Sequence, residues 1–393
     1  MKKRTLATCC AVHTLHDGLS DVSYVLLPLL ASTFGLSLAQ AGLVRSVHRA
    51  AMAAFQIPAG FVAERFGERN PLALGTLVAG LAFLALGYAQ GFWAILAALF
   101  LAGVGSAVQH PLSSTIVSQA YPAGGRRAAL GTYNFAGDVG KFAFGGLVSL
   151  SVLAGISWQV PVIGFGIAAI AVAAGALLLM GDSRAATVAP ADGIGWGIRN
   201  RRGFAALCAI EVLDSSTRTG FLTFIAFLLI ARGVPEGWAA AAVPLVLVGG
   251  MAGKLACGIL AERLGVVRMI VLTELATGCG ILGALALPAT AAFLLLPLLG
   301  VVLQGTSSVL YATLGEHVEQ ERLSRAFGLF YTVGSVCGIA APLGFGLIGD
   351  RYGVETAIAA LGVLITLTVP LAALLQTPRI AATSSSPRSR HSS

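Results

Sequence analysis

The chain has 393 residues, of which 56% are hydrophobic and 11% charged, with a mean hydropathy of +0.86 and a formal net charge of +8. Soluble domains carry roughly a quarter charged residues, so the composition excludes a soluble globular protein and predicts one that lives in a bilayer. Cys9, Cys10, Cys208, Cys257, Cys279 and Cys337 are scattered through apolar segments with no CxxC spacing, which excludes a disulfide framework and leaves them as small core residues.

In chain order, Lys2, Lys3 and Arg4 precede an apolar run too long for a signal-peptide core and without a small-residue cleavage site, so that run is expected to be the first span. Stretches of about 20 apolar residues mark spans at 8–31, 39–61, 71–90, 93–117, 129–154, 156–180, 204–230, 238–260, 268–287, 290–313, 326–348 and 356–376. The expected fold class is an all-α membrane protein of twelve transmembrane helices. Very short joins such as Gln90-Gly91 require antiparallel hairpins, and the one long polar connection separates two sets of six. The layout reads as a bundle at 1–180, a linker at 181–202, a second bundle at 203–377 and a Ser-rich, basic, disordered tail at 378–393. Lys and Arg collect at the N-terminus, in alternate loops and in the tail, whereas the opposite loops hold Arg232 and Arg351. The positive-inside rule then puts both termini in the cytoplasm.

The two sets repeat. Gly60-Phe-Val-Ala-Glu64-Arg65-Phe-Gly67 recurs as Gly258-Ile-Leu-Ala-Glu262-Arg263-Leu-Gly265, an offset of 198 (258 − 60). Near that offset Gly103 matches Gly300, Gly131–Gly137 matches Gly328–Gly334, and Asp17 falls near Asp214. A further copy of the motif ends at Gly353. Duplicated six-helix halves are a transporter architecture with the substrate site at mid-membrane.

These motifs, the six-plus-six layout and the long middle loop resemble the major facilitator superfamily over nearly the whole chain. Within it, His13-x-x-x-Asp17, Gly103-x-Gly105-Ser-Ala-Val-x-His110-Pro111-x-Ser113-Ser114 and Tyr133-Asn134-Phe-Ala-Gly137-Asp138-Val-Gly140 look most like the fosmidomycin-resistance branch of drug exporters. The resemblance implies alternating access, with Gly60, Glu64, Arg65, Gly67 and Gly258, Glu262, Arg263, Gly265 as gate latches; read from the residues alone, the same pairs are interfacial charges that fix topology. Span 5 departs from the exporter pattern, because Lys141-Phe142 stands where many members carry Gly-Pro. That departure weakens drug–proton antiport and favours a substrate with its own negative charge.

A charge at the bilayer centre costs about 2.5–3.5 kcal/mol on insertion scales, so the ionisable residues of the spans must face one another or a watery chamber. Asp17 is the leading candidate for proton coupling, with Asp21, His13, Asp138 and Asp214 beside it; the rival readings are permanent pairing and a metal set of Cys9, Cys10, His13, His16 and Asp17. Candidate substrate contacts are Arg45, His48, Arg49 and Gln56 in span 2, Gln109 and His110 in span 4, Asn134 and Lys141 in span 5, Arg218 in span 7, Lys254 in span 8, and Gln304 and Tyr311 in span 10. The Arg45–Arg49 pair offers fork-shaped donors suited to carboxylate or phosphonate. No Walker loop or nucleophile triad is present, so neither an enzyme nor a cofactor is expected. The expected function is proton-driven export of a small polar or anionic antimicrobial from a bacterial inner membrane. Uptake of a small organic anion by symport and metal-ion efflux are the alternatives. The expected partners are substrate, protons and lipid, with no nucleic acid, and one chain suffices as the working unit.

Overall fold

A computed structural model describes residues 2–121, 125–181, 197–319 and 323–375. Most of the linker, the tail after residue 375, Arg322 and the side chains of Glu64, Arg127 and Arg325 lie outside the described residues. The first half comprises α1 (Lys2–Phe34), α2 (Leu38–Phe66), α3 (Arg69–Gly87), α4 (Phe92–Ser106), α5 (Gln109–Ala120), α6 (Arg126–Leu153) and α7 (Gln159–Leu179). The second comprises α8 (Arg201–Ala231), α9 (Glu236–Ala240), α10 (Ala242–Leu264), α11 (Val266–Ala286), α12 (Ala289–Leu314), α13 (Leu323–Tyr352), α14 (Val354–Leu364) and α15 (Thr368–Ala373).

These make twelve membrane crossings, because α4–α5, α9–α10 and α14–α15 are each one interrupted span. Ten crossings are long and apolar enough for a bilayer by composition alone. The other two, α1 and α2, have 33 and 29 residues and carry several of the intramembrane charges, including Asp17, Asp21, Arg45 and Arg49. The break between α4 and α5 falls at Ala107–Val108, four residues before Pro111, whose missing N–H and ring bulk oppose a continuous ladder there.

The helix ends follow local chemistry. Ser37 caps α2 in a capping box: its Oγ accepts from Gln40 N at 3.2 Å and its own N–H donates to Gln40 Oε1 at 2.9 Å. The repeated motif stops α2, α10 and α13 at Gly67, Gly265 and Gly353, with φ of 77°, 85° and 89°, a region that favours glycine. The internal repeat also governs packing. A Cβ at Gly103 would meet the His48 carbonyl, and one at Gly300 would meet the Val246 carbonyl, so equivalent helices close on equivalent backbone positions.

The two halves meet at the end away from the N-terminus. There Asp350 on α13 accepts from Leu38 N at 2.7 Å, Ala39 N at 3.1 Å and Ser37 Oγ at 2.8 Å, capping a helix of the other half. Ser46 Oγ donates to the Ile339 carbonyl, Gly145 packs on Pro244, and Ser149 Oγ donates to the Ala240 carbonyl at 2.9 Å. At the N-terminal end the same helices diverge: Gly60, Gly131 and Gly328 face open space, and Phe61, Phe66, Phe135 and Tyr331 are exposed. Among the described residues no hydrogen bond or ion pair joins the two halves at that end; those that do lie at the opposite end or, as Asp138–Lys254, at mid-depth.

Candidate functional site

Where the diverging helices converge, at mid-depth, lies a polar chamber of about 260 Å³. The first half contributes Asp17, Ser20, Asp21 and Tyr24 from α1, Arg45, Arg49 and Met52 from α2, His110 from α5, and Asp138 and Lys141 from α6. The second contributes Arg218, Thr219 and Leu222 from α8, Leu247, Gly250, Met251 and Lys254 from α10, and Gln304, Ser307 and Tyr311 from α12. Glycine spacing in α6 brings it close enough to place these charges: a Cβ at Gly137 would fall 2.5 Å from His13 Nε2 and 2.7 Å from Asp17 Oδ2.

A chain of ion pairs crosses the chamber floor. Asp17 Oδ2 contacts His13 Nε2 at 3.2 Å and Lys141 Nζ at 3.0 Å, and its Oδ1 is 3.6 Å from His110 Nε2. Lys141 also reaches Asp138 at 3.3 Å. Asp138 in turn takes Lys254 Nζ at 2.7 and 3.0 Å. Lys254 belongs to the second half, so this last pair ties the halves together. A local Asp138–Lys141 pair alone, as the three-residue spacing suggests, is thus only part of the arrangement.

His13 is constrained on both sides. Its Nδ1 lies 2.8 Å from the Tyr133 carbonyl and its Nε2 faces the Asp17 carboxylate, and both partners are acceptors when Asp17 is ionised. A neutral imidazole has one N–H. A neutral His13 can therefore donate to only one of these two partners, and the Lys141 ammonium at 3.0 Å supplies the Asp17 carboxylate with a second donor.

The two arginines of α2 differ sharply. Arg45 is 1% exposed, donates to the Ser20 carbonyl at 2.7 Å and Ser23 Oγ at 2.8 Å, pairs with Asp21 at 3.2 Å, and lies over the Tyr24 ring at 3.8 Å. The expectation of Arg45 as a free substrate donor is corrected: its fork is occupied by its own half. Arg49, one turn further, lines the chamber and has no hydrogen-bond or ion-pair partner among the described residues. Every other chamber cation faces a carboxylate, including Arg218, which lies 3.2 Å from Asp214.

Several residues expected in the site lie elsewhere. His48 is buried away from the chamber, and neither ring nitrogen has a hydrogen-bond partner. Gln109 turns aside and donates to Tyr133 Oη at 2.7 Å, while Gln56 and Asn134 do not line the cavity. His16 points at Ser106 and Thr76, at 3.1 and 2.9 Å, so the Cys9–Cys10–His16 part of the proposed metal set does not assemble. His13, Asp17 and His110 do bring ligand atoms within 4.8 Å of one another, with the Lys141 ammonium beside them. Arg65, Glu262 and Arg263 are exposed and make no ion pair among the described residues, so the bridging latch is not formed by them in this conformation. Sequence reasoning missed Tyr24, Met52 and Met251 as lining residues, because apolar and aromatic residues in a span carry no signal of facing water.

A helical membrane protein with two pseudo-equivalent bundles around a charged mid-depth chamber is a transporter, not an enzyme. The chain belongs to the Major Facilitator Superfamily, whose model matches residues 9–342. It is 26% identical over 371 residues to the probable sulfoacetate transporter SauU of Cupriavidus necator, covering 83% of this chain and 82% of that one. It is 29% identical over 161 residues to the 4-hydroxybenzoate transporter PcaK of Acinetobacter baylyi, covering 41% of this chain and 34% of that one. The fosmidomycin resistance protein of Escherichia coli is 31% identical over 145 residues, 36% of this chain and 34% of that one. The chain thus spans about a third of the length of these last two relatives. Among solved structures, an inward-facing, occupied bacterial homolog of the human lysosomal transporter Spinster superposes with a TM-score of 0.80 at 18% identity, covering 94% of this chain and 96% of that one. The nucleoside transporter NupG gives 0.81 at 15% identity, covering 95% of this chain and 100% of that one. At these identities the likeness is one of fold.

Proposed function

We propose that the protein carries a small organic anion across a bacterial inner membrane in symport with protons, by alternating access, with both termini cytoplasmic. The observation that carries this reading is Arg49: a guanidinium in a mid-membrane chamber with no acid of its own needs an anion, and its planar fork suits a carboxylate or sulfonate. Proton coupling rests on the His13–Asp17 pair, an imidazole and a carboxylate 3.2 Å apart at the chamber wall with the Lys141 ammonium beside them. Lys141 and Lys254 link that pair to the second half, so a change in its protonation is felt where the bundles meet.

Inward symport is favoured over export by electrostatics. An interior-negative membrane potential opposes anion entry by about 2.3 kcal/mol per charge per 100 mV, and a co-transported proton cancels that cost. Anion export gains from the same potential and has less need of a proton site. The relative matched over most of its length is named for an organic anion, which supports an anionic substrate. Export of an anionic antimicrobial is the second reading, favoured by the match to the fosmidomycin resistance protein.

Proteoliposomes with an imposed inward proton gradient, loaded externally with labelled sulfoacetate, 4-hydroxybenzoate and other small carboxylates, test this directly. Symport predicts accumulation of at least one anion, abolished by a protonophore and reduced more than tenfold in Arg49→Gln. Accumulation that ignores the gradient, or an Arg49→Gln variant that transports as well as the native chain, overturns the proposal. Resistance conferred on a fosmidomycin-sensitive host, with no anion accumulation, selects export instead.

A further inference from the structure

The second half contains buried carboxylates that the transport reading does not use. Glu211 and Asp214 on α8 are each 2% exposed, and Glu274 on α11 is fully buried. Both oxygens of Glu274 and Oε2 of Glu211 are enclosed with no hydrogen-bond partner, and neither side chain makes an ion pair among the described residues. Asp214 has Arg218 at 3.2 Å. Glu274 lies within electrostatic reach of Asp214, Glu211 and Arg218, so the three acids share one guanidinium. The other titratable groups facing them are the phenols of Tyr311 on α12 and Tyr331 on α13, and the thiols of Cys208 on α8 and Cys337 on α13. None of these is a cation.

Fully ionised, the cluster would bury two uncompensated negative charges with orphaned oxygens, which a protein interior tolerates only by neutralising them. A metal ion does not fit, because these carboxylates do not bring ligand atoms together, whereas His13, Asp17 and His110 do. The repeat supplies an independent pointer. Asp214 stands 197 residues after Asp17, and Gly334 stands 197 after Gly137. Just as Gly137 leaves room for His13 and Asp17, a Cβ at Gly334 would come 2.5 Å from Glu211 Oε1. Each half therefore presses a glycine of its fifth crossing against an ionisable side chain of its first.

We infer that Glu211, Asp214 and Glu274 form a second proton-binding site, the counterpart of His13–Asp17, and that Arg218 connects it to the chamber. Arg218 lines the chamber and pairs with Asp214, so drawing its guanidinium toward a chamber anion strips the cluster of its cation and raises its demand for a proton. The protonated state of the cluster itself does not depend on which substrate is carried or in which direction.

Infrared difference spectroscopy of the purified, lipid-reconstituted protein tests the inference, since a protonated carboxyl has a carbonyl stretch that a carboxylate lacks. Native protein minus Glu274→Gln, and native minus Glu211→Gln, are expected to show that band at neutral pH, with loss at alkaline pH; Asp17→Asn leaves these bands in place. Should either glutamine variant fold poorly, side-chain-labelled glutamate in the native chain reports the same band. Carboxylate signals alone at neutral pH overturn the inference. So does thermal stabilisation of the native protein by sodium chloride, relative to choline chloride, that disappears in Glu274→Gln, because it assigns the site to sodium. Absence of proton-driven anion accumulation by the native protein in liposomes overturns the transport reading and leaves these spectra unaffected.

Discussion

Arg45 and Arg49 are one helical turn apart, and the structure gives them different work. Arg45 is enclosed by Asp21, Ser20, Ser23 and Tyr24. Breaking a buried pair by removing one partner costs about 3–5 kcal/mol, so Arg45→Ala is expected to lower the melting temperature strongly, and Arg45→Lys to restore little because an ammonium lacks the fork. Arg49→Gln is expected to melt within a few degrees of the native protein while losing transport, because no internal partner is stranded. Thermal unfolding in detergent, run beside liposome uptake, separates the two. At Asp17, replacement by Asn removes the negative charge that faces Lys141 and His13 together, leaving only a neutral amide oxygen to accept. Anion exchange with no net proton movement is the expected remnant, measured with a pH-sensitive dye inside the liposomes.

Helices of this chain are positioned by glycine at crossings rather than by apolar stripes alone. Gly140 in α6 sits against the backbone of Thr14, where a Cβ would collide with the carbonyl, and Gly249 meets Pro297 of α12 in the same way. Alanine is ordinarily better than glycine in a helix by about 1 kcal/mol. At Gly140 and Gly249 that preference reverses, since the neighbouring backbone cannot move aside cheaply, and Gly140→Ala and Gly249→Ala are expected to reduce folded yield. Gly131→Ala, facing open space on the same helix as Gly140, is expected to be neutral or mildly stabilising. Yield of monodisperse protein by size-exclusion chromatography compares all three.

Contact between the halves is concentrated at one end, with Asp350 accepting three hydrogen bonds at the N-terminus of α2. A carboxylate at a helix N-terminus is worth about 0.5–2 kcal/mol through capping and dipole effects. Asp350→Ala is therefore expected to shift the balance between the two access states by roughly two- to thirtyfold toward opening at that end. Spin labels at Ser32 and Tyr352, both exposed there, report it as a longer distance population; an unchanged distribution rules out Asp350 as a clasp. The Asp138–Lys254 pair, by contrast, lies in the chamber itself and joins the halves at the depth where substrate would sit. Halves that separate around that depth must lengthen this pair, which makes it a point where ligand and conformation compete.

Sequence by itself determined the twelve crossings, the two-fold repeat, the membrane setting and the convergence of Asp17, Lys141, Arg218 and Lys254 on one chamber. These follow from hydropathy, spacing and the cost of charge in lipid, which depend only on the chain. Tertiary structure decided which charges neutralise which: that Arg45 is consumed and Arg49 is not, that Asp138 reaches across to Lys254, that His48 and Gln109 turn away, and that Glu274 joins Glu211 and Asp214. Pairing depends on how helices distant in sequence rotate against one another. A rotation of one residue's arc moves a side chain from chamber to core without altering the helix's average hydrophobicity, so no one-dimensional pattern records it.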